Sequence, residues 1–373
     1  MRLVVVALSF QVLLLLCSFS FSIRTNYTSI FSFGDSFTDT GNFVIIGGPT
    51  TPNLLIINPP YGMTFFGHPT GRISDGRLAI DFIAEALGLP LLPPSMAVNQ
   101  SFRQGANFAV AGATALDREF FVRDGDTSVT RYNISLGDQL AWFDAMKPSL
   151  CGSPQACQEY FAQALFVVGE FGWNDYAFML MSGKSIDEAR TRVPQVVGTI
   201  CAAAEKLIGE GGKTVVVPGV TPLGCSTWNL VRFASQNADY EPDTGCLKGM
   251  NRLSREHNKE LRQALARLRG RSPAGVRIVY ADFYAPIVDF AAAPGRYGFD
   301  GTYGALRVCC GDGGGRYNVN LSMACGTPGV SACPDPSAYV NWDGIHLTEA
   351  ANHRIADGWF RGPYAHPPIL MDT

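Results

Sequence analysis

Charge is scarce in this chain: Asp, Glu, Lys and Arg together make 16% of its 373 residues, and the net charge is −3. No basic stripe or charge block occurs, so nothing points to a nucleic-acid or anionic-membrane partner, which clustered Lys and Arg would have to hold. Histidine is scarcer still, at five residues, so each can be weighed on its own. The sequence lacks any C-x-x-C pair, which argues against a zinc framework. It also lacks repeats and low-complexity tracts, and after the N-terminus no run is long and apolar enough to cross a bilayer. Apolar residues, by contrast, make up 47%, ample for a large core and contrary to disorder.

The N-terminus carries the single long apolar run, Leu3 to Cys17, preceded by Arg2, broken by Ser9 and Gln11 and followed by Ser20 and Ser22. That form predicts a secretory signal over residues 1–22, cleaved after Ser22, and one domain over 23–373. An uncleaved anchor is the rival, but the run is short for a span and has no strong charged stop. The expectation is a secreted protein of the extracellular space or cell wall, with Golgi retention left open and no stable membrane insertion once the signal is gone. Asn-x-Ser/Thr acceptors at Asn26, Asn99, Asn133 and Asn320 add weak support for glycosylation.

Ten cysteines become nine when Cys17 leaves with the signal, an odd number that predicts a free thiol. Cys151/Cys157 and Cys225/Cys246 read as local loop staples. Cys309, Cys310, Cys325 and Cys333 crowd one Gly-rich stretch and could form two bridges, with the connectivity left open. Cys201, inside a helical pattern, is the expected buried thiol.

Strand-like and helix-like segments alternate. Ser29–Phe33 reads as a strand ending at Gly34, and Leu165–Gly169, Thr214–Pro218 and Val276–Tyr280 are apolar runs typical of strands buried on both faces. Helical spacing marks the segment opening at Asp75-Gly76-Arg77 (Leu78, Phe82, Ala86, Leu89), a long stretch from Ser185 to Glu210 with a kink at Pro194, Met250 to Arg269, and Leu347 to about Phe360. On the third of these, Leu253, His257, Leu261, Leu265 and Leu268 form one face. Residues 295–335 read as a long Gly-rich loop. The alternation predicts a three-layer α/β/α sandwich, whose ligands bind at the carboxyl ends of its parallel strands.

Chemistry is expected at those ends. FSFGDSFTDTGN, residues 31–42, places Ser36 just past the first strand, where it is either a helix N-cap or a nucleophile. His68, His257, His353 and His366 are best explained by packing or exposure. His346 differs, because Asp343 three residues earlier can bond its Nδ1–H and leave Nε2 to take a proton; a capping Asp beside an incidental His is the alternative. Asn174, in GWND after the second buried strand, offers an amide of the kind an oxyanion hole uses, or is an ordinary turn Asn. The small residues of Gly105–Thr114 allow a backbone N–H to approach a substrate oxygen.

Together these blocks resemble the plant-type GDSL esterase/lipases of the SGNH-hydrolase superfamily, over essentially the whole mature chain. The resemblance implies a flavodoxin-like sandwich with a five-stranded parallel sheet. It places the nucleophile on Ser36 in FGDSFTDTGN and the D-x-x-H pair on Asp343 and His346. It places the oxyanion donors on the Ser36 N–H, on Gly112 in NFAVAGA (Gly105 being the weaker candidate) and on the Asn174 side chain. Asp35 is structural by the same reading, and Phe37, standing where the family has its namesake leucine, is a packing variant. The implied activity is carboxylic-ester hydrolysis through an acyl-enzyme, with no cofactor or metal, by a monomer. The substrate is a small-molecule or polysaccharide ester, with a lean toward acetyl groups such as those on cell-wall sugars. An acyltransferase, a lipase for longer chains and a binding protein with a relic site are the competing readings.

Overall fold

The computed structural model describes residues 27–48, 54–125, 134–234, 239–302 and 305–370. The proposed signal, Asn26 and Asn133 lie outside them; Asn99 is exposed and Asn320 half-buried.

A six-stranded sheet organises the chain. Its strands are β1 Ser29–Phe33, β2 Gly105–Asn107, β3 Ala164–Val168, β4 Thr214–Pro218, β5 Arg277–Ala281 and β6 Ala365–His366, in the order β2-β1-β3-β4-β5-β6. The first five are parallel, as the alternation and the family resemblance imply; β6 adds an antiparallel edge to β5, so the five-stranded expectation is corrected to six. Two residues hemmed in by Pro363 and Pro367 carry no readable periodicity, which is why β6 is invisible in the sequence. β2 is only three residues long, and its glycine has a steric cause. A Cβ on Gly105 would lie 1.9 Å from the Ile30 carbonyl oxygen, so only glycine fits against β1.

Helices flank this sheet. They run α1 Asn42–Gly47, α2 Ala79–Ala86, α3 Arg118–Arg123, α4 Leu136–Leu150, α5 Pro154–Phe161, α6 Trp173–Met181, α7 Ile186–Arg190 and α8 Val193–Gly209. After β4 come α9 Thr227–Arg232, α10 Lys248–Arg271, α11 Tyr284–Ala292 and α12 Glu349–Arg361. The expected helix from Ser185 to Glu210 is two helices, because Pro194 begins α8 rather than kinking it: proline suits a first turn, where its missing N–H goes unused. The face foreseen on α10 is buried throughout, with Leu253, His257, Leu261, Leu265 and Leu268 inside. Ser36 begins no helix. It lies in a turn closed by the Thr38 and Asp39 N–H groups on the Asp35 carbonyl, and α1 starts only at Asn42.

Two apolar clusters form. The larger one surrounds the sheet; the smaller gathers Tyr61, Ile73, Trp342 and the cysteines of the Gly-rich loop. Disulfides join Cys151–Cys157 and Cys225–Cys246 as expected, while the four crowded cysteines pair as Cys309–Cys333 and Cys310–Cys325. Cys201 is the buried free thiol. The Cys309 and Cys310 N–H groups bond the Asn341 and Trp342 carbonyls, so this double staple braces the segment that leads into Asp343. Such a set of bridges suits an oxidising compartment. Among the described residues, no helix is long and apolar enough to cross a membrane.

Candidate active site

The chain leaves β1 for β2 on one side and reaches β3 on the other, so the strand order reverses between β1 and β3. That reversal is where doubly wound sheets open a crevice at their carboxyl edge. The two strands end level, Phe33 beside Val168, and the Gly169 N–H donates to the Phe33 carbonyl. Ser36 follows the first strand end and Asn174 the second.

The turn that carries Ser36 is held by buried amides and carboxylates. Gln139 of α4 grips Gly34 from both sides, accepting its N–H at 2.9 Å and donating to its carbonyl at 2.7 Å. Asp39 accepts the N–H groups of Gly41, Asn42 and Phe43, and its Oδ2 also takes the Ala111 N–H at 2.8 Å. Asn42 and Asn107 complete the stitching between the GDS turn and the NFAVAGA segment. Gly112, next after Ala111, has φ +81° with open space where a Cβ would point, and it lines the cavity; Gly105 stays in the sheet. The Asp175 carboxylate accepts the Ala115 and Leu116 N–H groups, which locks the Asn174 turn to the far end of the same segment.

His346 meets Ser36 across 310 residues of sequence, with Nε2 2.8 Å from Oγ. Its Nδ1 lies 3.0 and 2.9 Å from the two Asp343 oxygens. A carboxylate only accepts, so Nδ1 carries the proton and Nε2 is the acceptor for the serine hydroxyl. Burial pushes Asp343 up, but attraction to His346 and the hydrogen bonds from His346 and Ile345 outweigh it and hold the carboxyl at about 2. Phe37 packs its ring 5.5 Å from the His346 ring and edge-on to Phe283, the packing role expected of it. Asn174 is engaged: its Nδ2 donates to Asp35 Oδ2 at 2.8 Å and to the Ala113 carbonyl at 3.0 Å. Asp35 thus touches the amide as well as its own turn, where it accepts the Phe37 N–H.

The profile of the GDSL-like lipase/acylhydrolase family matches residues 30–359. The chain belongs to this family. Two GDSL esterase/lipases of Arabidopsis thaliana are similar to it, at 48% identity over 92% of this chain and 86% of the relative, and at 47% over 91% and 92%. A sinapine esterase of Brassica napus is 46% identical over 91% of this chain and 87% of its own length. This GDSL chain is accordingly a carboxylic-ester hydrolase.

In this GDSL protein, a cavity of about 410 Å³ opens beside Ser36 and His346. Phe43, Ile46, Ile73, Trp173, Phe178 and Ile345 form its walls, and no Asp, Glu, Lys or Arg lines it. The sequence assigns no role to these walls, nor to Asp39, Gln139 or Tyr61, because each one meets groups from segments far apart in the chain.

Several buried carboxyls behind the site titrate abnormally. Burial raises Asp35 to about 7 and Asp39 and Asp175 to about 6, from an ordinary 3.8, although backbone N–H groups oppose it at each. Burial, then the nearby Asp35 charge, raises Glu170 well above its usual range. Between pH 4 and 7 the folded protein therefore holds protons that the unfolded chain has lost, so stability falls as pH rises through that window. His257, lowered to about 3 by burial, works in the opposite sense between about 3 and 6.5, but with one proton against four. Asp343 contributes only where pH falls below 4. Thermal melts at constant ionic strength are expected to lose several degrees in Tm from pH 5 to pH 8, and a flat or rising Tm would refute this balance.

Proposed function

We propose that this hydrolase works through a Ser36–His346–Asp343 triad and a covalent acyl-enzyme. The observation that carries the reading is the continuous relay from Asp343 through His346 to the Ser36 hydroxyl. Nε2 takes the Ser36 proton as Oγ attacks the ester carbonyl, and Nδ1–H stays on the carboxylate that stabilises the imidazolium. The oxyanion is received by the Ser36 and Gly112 N–H groups and by one Asn174 N–H, which turns from the Ala113 carbonyl while the other stays on Asp35. His346 then protonates the leaving alcohol, water attacks the acyl-enzyme by the same route, and Ser36 is restored.

On the acyl side, the apolar walls favour a group larger than acetyl. At about 30 Å³ per water-sized atom, the cavity has room for roughly a dozen heavy atoms. Each methylene buried there contributes about 0.8 kcal/mol, or roughly fourfold in kcat/KM until the space is filled. A p-nitrophenyl ester series from acetate to decanoate is expected to peak between butyrate and octanoate, and Trp173→Ala to move the peak to longer chains. Activity greatest on acetate, together with acetate release from xylan or pectin, would restore the acetyl reading. Sinapine belongs in the same panel, given the name of the Brassica relative.

A further inference from the structure

We infer that Tyr61 is a positioning residue for the triad, acting through the Asp343 carboxylate. The inference rests on the triad assignment above. Tyr61 sits 282 residues before Asp343 in the chain, yet its hydroxyl lies 2.9 Å from Asp343 Oδ2. That oxygen is one of the two that meet His346 Nδ1. The other, Oδ1, is held by the Ile345 and His346 N–H groups. Without the phenol, Oδ2 would have only the imidazole to fix it. The carboxylate could then tilt about the two backbone N–H groups that hold Oδ1, and the ring it steers would follow.

The phenol itself is well fixed. Tyr61 is 4% exposed, its ring meets Trp342 edge-on at 5.9 Å, and its N–H donates to the Asn58 carbonyl. Trp342 is tied back in turn, its N–H to the His346 carbonyl and its carbonyl to the Cys310 N–H. Burial and the Asp343 charge both push the Tyr61 hydroxyl far above its usual range, so it remains a donor at every working pH. A hydrogen bond donated to a carboxylate draws off part of its charge. Tyr61 therefore does two things: it sets the plane of Asp343, and it tempers the pull of Asp343 on the imidazolium.

Tyr61→Phe keeps the ring and removes only the donor. With active sites counted by fluorophosphonate titration, the variant is expected to lose about fivefold in kcat with KM within about twofold. The acid limb of kcat/KM should move up by about half a pH unit, because an untempered carboxylate holds the imidazolium longer. Asp35, whose charge also reaches His346, is not touched by the change, and neither is Glu170 behind it. A limb and kcat equal to wild type would overturn the inference for Tyr61 alone. Wild-type protein that does not label at Ser36 would overturn the triad assignment and this inference together. Counting sites by titration keeps the result readable even if part of the variant fails to fold.

Discussion

Ser36→Ala is expected to lower kcat for ester hydrolysis by about 10⁵-fold or more, the scale seen when a serine nucleophile is removed from an intact triad. The size follows from how little else can replace the hydroxyl. His346 Nε2 would face a methyl group, and a water recruited in its place would have no fixed line of attack on the carbonyl. The residual rate would come from the Gly112 and Asn174 side of the cavity, which still binds the ester and receives the oxyanion. The fold should be nearly unaffected. The turn is held by Asp35, Asp39 and Gln139, and the Ser36 side chain contributes its bond to His346, worth about 1 kcal/mol. Steady-state hydrolysis, fluorophosphonate labelling and a thermal melt on the same preparation check this. A folded variant that keeps even a hundredth of wild-type kcat would rule Ser36 out as nucleophile.

Asp343→Asn should be nearly as damaging, about 10⁴-fold in kcat with little change in KM, although it changes one atom. The reason lies in what each oxygen of Asp343 accepts. Oδ1 takes the Ile345 and His346 backbone N–H groups, so an asparagine keeps its carbonyl there. Its amide NH₂ then falls at the Oδ2 position, facing the Tyr61 hydroxyl and His346 Nδ1. Although the carbonyl left at Oδ1 is 3.0 Å from Nδ1, an N–H donor 2.9 Å away would clash with Nδ1–H, which favours Nδ1 as an acceptor and the imidazole proton on Nε2. In that tautomer His346 cannot take the Ser36 proton, so labelling by fluorophosphonate should slow in parallel with turnover. A kcat within tenfold of wild type would show that Asp343 neither selects the tautomer nor stabilises the imidazolium.

Much of this was legible in the sequence because it is local. The strands Ser29–Phe33 and Thr214–Pro218 match the expected bounds, since short β-branched or aromatic runs that end at Gly34 and at Pro218-Gly219 admit few alternatives. The buried face of α10 follows from a helical repeat sustained from Leu253 to Leu268, about four turns. Asp343 and His346, three residues apart, could be read as a pair because one turn of chain brings them together. Ser36 could be suspected but not decided, since a strand-end serine is also a good helix cap; the turn geometry shows that it caps no helix, and the 2.8 Å approach of His346 supports the nucleophile proposed above.

The cavity shows the other side. Its walls come from α1, α6 and three separate turns, so no spacing rule connects Phe43 to Ile73 or Phe178, and the sequence-level lean toward acetyl had no wall residue to weigh against it. The same holds for the pairing of Cys309 with Cys333 and Cys310 with Cys325, where the spacings allow other connectivities.

By itself, then, the amino-acid sequence determined the layered α/β plan and the family, and pointed to the residues proposed for acyl transfer, because periodicity and short motifs are properties of neighbours along the chain. Only the tertiary structure decided which carbonyl competes for Asn174, that Tyr61 reaches Asp343, and how large and how apolar the cavity beside Ser36 is. Those are contacts between segments tens to hundreds of residues apart, set by how β1 and β3 end side by side and by what the loops above them bury.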